Sequence, residues 1–219
     1  MQQLQRFSDF PFSLEFVCMD PGYHEVNRRQ IETNAEKLQV PIKFFETNIF
    51  DVTESVSGNP CYLCARMRRG HLYSIAKSLG CNKIALGHHL IDVIETTLLG
   101  MFYGAQLQAM LPRLKSTNFE GMELIRPLYC VNEDAILKWK SYNGLDFIQC
   151  ACRFVDEYSH SEDGIGPSKR QEIKALIKEM RKDNPDVERN IFMSIHNLKL
   201  DTFIGYKQDG TEHSFLEKF

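Results

Sequence analysis

Short apolar stretches alternate with helix-length amphipathic segments along this chain, with Gly and Pro at the joins, and that alternation constrains the fold most. Residues 12–19, 42–46 and 83–87 read as strands. Helices are predicted over 24–38, with Val26, Ile31, Ala35 and Leu38 on the apolar side, over 61–79, which Gly80 closes, and over 91–103. Two more strands, at 111–114 and 122–125, flank a polar connection. A helix over 132–142 follows, with Asn132 placed to cap it and Gly144 just beyond its end. Strands alternating with helices predict an α/β fold with a doubly wound, mostly parallel sheet.

Beyond a polar stretch at 156–167, Ile173, Leu176, Ile177 and Met180 recur at helical spacing. Asn184-Pro185 then opens a helix with Val187, Ile191 and Ile195 on one side. The expected division is an α/β domain over 1–155 and a loop with a helical region over 156–219. Residues 1–7 carry helix formers with Leu4 and Phe7 three apart, and the chain is expected to begin partway through a helix.

A length of 219 residues leaves room for one large domain, or one plus a small appendage. A hydrophobic share of 43% supplies a packed core and excludes a disordered chain. The net charge of -3 excludes a protein held on nucleic acid by bulk charge, so any such contact is a local patch. With no apolar run of membrane-spanning length and no signal-peptide pattern at the start, a cytoplasmic location without membrane contact is expected. Seven cysteines without a secretion signal point to metal or redox chemistry rather than disulfides.

The most informative stretch runs from Pro60 to Arg69 and contains Cys61-x-x-Cys64. At about 100° per residue from Cys61, Cys64 falls at roughly 300° and Arg68 at roughly 340°, with Leu72, Ile75 and Leu79 within roughly 40° of that stripe. Both thiols and Arg68 are therefore expected on the inward face, with Arg66 and Arg69 elsewhere. Two small buried residues would also look like this. An arginine on a core face argues otherwise, because an unpaired buried charge is costly. A cation beside thiolates also lowers their pKa. Cys150 and Cys152 could converge on the pair: three thiolates leave an iron-sulfur cluster with one open iron, and four suit zinc.

Gly87-His88-His89-Leu90-Ile91-Asp92 follows a strand and opens a helix, and Asp20 ends another strand. Ligands of open α/β sheets bind outside these carboxyl ends, often at helix N-termini. Asp92 suits Mg2+ held together with phosphates, or merely complements the helix dipole.

Four motifs in order carry a resemblance: Pro60-Cys61-x-x-Cys64-x-x-x-Arg68-Arg69-Gly70, Ala85-Leu86-Gly87-His88-His89-x-x-Asp92-x-x-Glu95-Thr96, Met101-Phe102-Tyr103-Gly104 and Ile125-Arg126-Pro127-Leu128. Together they resemble the tRNA 2-thiocytidine synthetases of the PP-loop ATP pyrophosphatase superfamily, from about residue 12 to 152 and more weakly through the last helices. The resemblance implies a Rossmann-like fold of the adenine nucleotide alpha hydrolase type. It also implies an enzyme that adenylates the C2 oxygen of a tRNA pyrimidine, cytidine 32, with ATP and replaces it by sulfur. A 4Fe-4S cluster on three cysteines is implied, with Cys61, Cys64 and Cys150 as carried-over ligands. Asp92 takes the Mg2+ or catalytic role, Arg68 lies beside the cluster, and Asp20, Gly87 and His88 border the nucleotide. The partners implied are tRNA and a sulfur donor, a cysteine desulfurase or sulfide, and a homodimer is possible.

The sequence departs from the family pattern in three places. Cys150-Ala151-Cys152 is one residue tighter than the usual Cys-x-x-Cys, which leaves either as third ligand. Ile91-Asp92 replaces the usual Asp-Asp. The Ser-Gly-Gly-x-Asp-Ser loop, whose amides cradle ATP phosphates, belongs upstream of residue 12 and is not among these residues. Met1 is accordingly expected to be an internal or misassigned start, with the natural chain longer by about 30 or more residues. Weak ATP binding is expected of the chain as given. Competing readings are a zinc-binding α/β module using all four of those cysteines, and an ATP pyrophosphatase acting on another base or small molecule. Cys18, Cys81 and Cys130 are expected to be packing residues. The helix at 168–182 carries Lys169, Arg170, Lys174, Lys178, Arg181 and Lys182 against Glu172 and Glu179, either a solvated face or a tRNA-phosphate surface.

Overall fold

A computed structural model describes residues 1–54, 60–148 and 169–219. Cys150, Cys152, the 155/156 boundary and the polar stretch at 156–167 lie outside the described residues. The chain divides into two compact units. One holds Met1–His89 and the described residues from Leu111 to Ile148; the other holds Leu90–Met110 and the described residues from Lys169 to Phe219.

The first unit begins with helix α1 (Gln2–Arg6), whose Leu4 and Phe7 are exposed. Strand β1 (Phe16–Asp20) then leads through an Asp20-Pro21-Gly22 turn into α2 (Glu25–Lys37). Strand β2 (Ile42–Glu46) pairs with β1 in parallel, Phe16 opposite Ile42 and Asp20 opposite Glu46. Short α3 (Ile49–Glu54) and long α4 (Pro60–Ser78) follow. Gly80 ends α4 with a positive φ of 72°, a backbone angle that disfavours any side chain. Strand β3 (Lys83–Ala85) runs parallel to β5 (Glu123–Ile125), which pairs antiparallel with β4 (Arg113–Lys115). The sheet is thus present as two ladders, β1-β2 and β3-β5-β4. Helix α6 (Glu133–Tyr142) starts after Asn132, whose side chain makes no capping hydrogen bond, contrary to expectation. Glu133 and Asp134 in its first turn favour the helix dipole instead.

Two apolar clusters hold this unit. Met19, Ile49, Phe50 and Cys64 form one, with Tyr23, Met67 and Leu72 packed on it. Tyr73, Met122 and Leu124 form the other, where the Tyr73 ring stacks on Phe119 at 5.0 Å between centroids. Helix α4 serves both clusters, so it fixes the β1-β2 end to the β3-β5-β4 sheet. In α2, Ala35 is buried, but Val26 is exposed in the first turn rather than packed on the apolar side.

In the second unit α5 (Leu90–Gly104) is apolar on most sides and packs against α7 (Lys169–Asp183) and α8 (Val187–Ser194). Ile94 and Ile173 are fully buried, while Leu176 and Met180 of the expected α7 stripe stay exposed. A hairpin of β6 (Gly205–Gln208) and β7 (Thr211–Ser214) follows, beyond the helices expected there. Its turn, Asp209-Gly210, has positive φ at both residues, the geometry of a tight two-residue hairpin.

Candidate functional site

Asp20 ends β1 and is buried. Its Oδ1 accepts hydrogen bonds from the backbone N–H groups of Gly22 and Tyr23, at 2.9 and 2.7 Å, and Arg28 reaches Oδ2 at 3.4 Å. The Asp20 carbonyl accepts from the Thr47 N–H at 2.8 Å, tying the ends of β1 and β2 together. The carboxylate therefore builds the strand-end turn, as Asp does by bonding its own following backbone. Beside it a cleft of about 450 Å³ opens at the carboxyl end of β2, lined by Phe45, Glu46, Thr47, Asn48, His71 and Ile75.

Helix α4 carries Cys61 and Cys64 three residues apart, about one helical turn. Cys64 is buried against Met19, Ile49 and Phe50, behind the end of β1. The side chain of Cys61 and the residues Cys150 and Cys152 lie outside what is described. Among the described residues no group of three His, Cys, Asp or Glu is arranged to hold a metal.

Arg68 departs from expectation. It lies one turn beyond buried Cys64 but is itself exposed, while Cys64, Met67 and Leu72 pack inward. A guanidinium at this rim keeps its charge in water while its stem covers apolar surface. Its charge still acts inward: burial raises the pKa of the Tyr23 phenol, and Arg68 opposes that rise more than any other group. Cys18 and Cys64 also act on Tyr23, so both thiols lie near that ring. Burial, and next the Asp20 charge, pushes the Cys18 thiol up, against the pull of Arg28 and Arg68. Cys18 thus stays a protonated, unreactive packing residue at neutral pH. Cys130, also expected to pack, is exposed.

Gly87, His88 and His89 follow β3 as expected; Gly87 is exposed, and a Cβ there would meet nothing within 4 Å. Asp92 lies in the first turn of α5. Sequence reasoning missed its setting. Glu95, one turn on, is buried at 4% exposure, and Arg170 of α7 pairs with both acids through one nitrogen, 3.1 Å from Asp92 Oδ1 and 3.1 Å from Glu95 Oε2. A carboxylate amid Val93, Ile94, Thr97 and Leu98 was the available signal, since a buried acid demands a cation. The motif residue Tyr103 donates its hydroxyl to Glu172 of α7 at 2.6 Å, and Lys169 lies 5.0 Å over its ring. The hydrogen bond raises the Tyr103 pKa, and the same bond together with Lys169 lowers that of Glu172.

Comparison with known proteins fits this arrangement. A family model described as a PP-loop domain matches residues 23–159. The tRNA-cytidine(32) 2-sulfurtransferase of Geobacter sulfurreducens is 32% identical over 202 residues, which are 91% of this chain and 75% of the relative. Its counterpart in Syntrophotalea carbinolica is 31% identical, over 91% of this chain and 74% of its own. In Neisseria meningitidis serogroup C the values are 34%, 90% and 60%. The fold is similar to the structure of a U34-tRNA thiolase from Methanococcus maripaludis with its 4Fe-4S cluster, at a TM-score of 0.65 and 20% identity, covering 94% of this chain and 68% of that one. Because the PP-loop match takes in most of the chain, and curated relatives above 30% identity align along three quarters of their own length, this chain belongs to the tRNA-cytidine(32) 2-sulfurtransferase family of PP-loop proteins.

Proposed function

We propose that this chain is an ATP-dependent tRNA sulfurtransferase acting on cytidine 32. The observation that carries the reading is Cys64, buried on α4 behind the Asp20 strand end, with Cys61 one turn away on the same helix, inside the region of family similarity. In the first step the C2 oxygen of the pyrimidine attacks the α-phosphorus of ATP and pyrophosphate leaves. In the second, hydrosulfide adds at C2, the C2–O bond breaks and AMP leaves with its electron pair.

Cys61 and Cys64, one helical turn apart in the chain, with Cys64 shielded from water, suit an iron-sulfur cluster. Cys61, Cys64 and either Cys150 or Cys152 would hold it. When bound, it supplies an open iron that carries the sulfur. Arg68 offers positive charge at the rim, suited to thiolate ligands. Asp20, Gly87 and His88 border the nucleotide, and Asp92 serves Mg2+ or the reaction itself. The remaining partners are a sulfur donor, a cysteine desulfurase or sulfide, and a second copy of the chain in a homodimer. The expected location is the cytoplasm; among the described residues no helix is long and apolar enough to cross a membrane.

Mass spectrometry of tRNA from a strain lacking the gene tests the reading. Loss of 2-thiocytidine at position 32 is expected, and an unchanged level overturns it. Anaerobically purified protein is expected to be brown; colourless protein with one zinc per chain would favour a structural metal module instead.

A further inference from the structure

The geometry points to Arg170 as a positioning residue that holds the Asp92 carboxylate in place from α7. This inference rests on the sulfurtransferase reading, in which Asp92 does chemistry. It turns Arg170 from a candidate tRNA-phosphate contact into an internal part of the site.

Three observations support the assignment. First, one guanidinium nitrogen of Arg170 bridges two carboxylates a helical turn apart, at 3.1 Å each. Glu95 is buried, where a carboxylate is costly unless it is paired, and Arg170 is a cation that meets it. Second, Arg170 is the second residue of α7, where a cation opposes the helix dipole. Its own helix gains nothing from a positive charge there, so the placement answers to the acids of α5. Third, Glu172 in the same turn of α7 accepts from Tyr103 near the far end of α5. One turn of α7 therefore grips α5 at points about 12 Å apart along its axis, since residues 95 and 103 are eight helical steps apart. Arg170 is itself held by buried Glu95, so the nitrogen that meets Asp92 has a fixed place. A lysine would bring a single point charge, whereas the planar fork of arginine keeps its direction when shared between two acids.

The test uses the full chain and the variants Arg170→Ala, Arg170→Lys and Glu95→Gln. Three readouts are followed: amide hydrogen exchange across α5, tRNA binding as a function of salt, and single-turnover thiolation at saturating tRNA and ATP. For Arg170→Ala, exchange in the first turns of α5 should quicken roughly tenfold and single-turnover thiolation should fall roughly tenfold or more, the worth of a charge-assisted contact. Affinity for tRNA and its salt dependence should stay as they are, and Arg170→Lys should recover part of the rate. Glu95→Gln, which keeps the shape and removes one charge, should quicken exchange less than Arg170→Ala does. Unchanged exchange in Arg170→Ala overturns the inference. So does a salt slope reduced by about one, which marks a lost phosphate contact. If the unaltered chain transfers no sulfur, the sulfurtransferase reading falls, while the exchange and salt measurements still decide what Arg170 holds.

Discussion

Cys64 and Gly100 show how single residues divide between chemistry and packing. Cys64 is walled by Met19, Ile49 and Phe50, so replacing it by alanine removes a small buried group at a cost of about 1 kcal/mol. If it is also a cluster ligand, Cys64→Ala should lose the absorbance near 400 nm and the bound iron while melting nearly as the unaltered protein does. Retained iron with unchanged stoichiometry would show that Cys64 only packs. Gly100 is purely steric. A Cβ there would meet the Gln106 carbonyl oxygen at 2.9 Å, and that oxygen is backbone, already accepted as close because Gln106 N–H bonds the Gly100 carbonyl. Gly100→Ala should therefore cost about 1–3 kcal/mol in chemical denaturation, as overpacking does; a change below about 0.5 kcal/mol would mean the 106–108 segment gives way. The burial of Cys64 was legible because its spacing from Leu72 puts both on one helical stripe. The exposure of Arg68 was not legible, because a wheel drawn from Cys61 fixes an angle without showing how far a long side chain reaches into water. Glu95 was passed over because its neighbours made the helix look like plain core.

Among the elements, the long helices were legible from their punctuation: Gly80 after α4, Asn184-Pro185 before α8. Short α3 was not, since six residues show too little periodicity. The β6–β7 hairpin was missed although Asp209-Gly210 is the residue pair such a turn demands, the strands around it being too polar to read as strands. The β3-β5-β4 sheet rests on an ionic device that no periodicity reveals. Glu123 pairs with Lys83 across the parallel edge and with Arg113 across the antiparallel one, both at 2.6 Å. Its hydrogen bond to Arg113, followed by that to Lys83, lowers its pKa from the ordinary 4.5 to about 2. The ionised form is thus favoured in the folded sheet. The stability this gives is fully present above pH 4.5 and is lost as the pH falls through about 2. Melting of the unaltered chain and of Glu123→Gln should differ by a constant amount above pH 4.5 and converge between pH 4.5 and 2. A gap that persists at pH 2 would contradict the pairing.

For the whole molecule, the doubly wound class was legible because strand-helix alternation admits few other architectures. The division into units was not: α5 is apolar nearly all round, and sequence cannot say that α7 and α8, more than 60 residues later, cover it. The charge balance raises the remaining question, since a chain of net charge -3 must engage tRNA through a local patch. Among the described residues, cations of α7 are held in ion pairs: Lys169 with Glu172, Arg170 with Asp92 and Glu95, Arg181 with Glu188, and Lys182 with Glu179. Pairing of this kind withdraws Arg170 and weakens the face as a phosphate surface. Helix α4 offers a better one, for Arg66 and Arg69 are exposed on the helix that also carries Cys61 and Cys64. Each arginine that neutralises a phosphate contributes close to one unit to the slope of log K against log salt. The double variant Arg66→Ala, Arg69→Ala should therefore weaken tRNA binding and flatten that slope by about two. It should leave iron content and melting unaltered, because neither side chain is buried. A slope that stays as steep as in the unaltered chain would move the tRNA contact off α4.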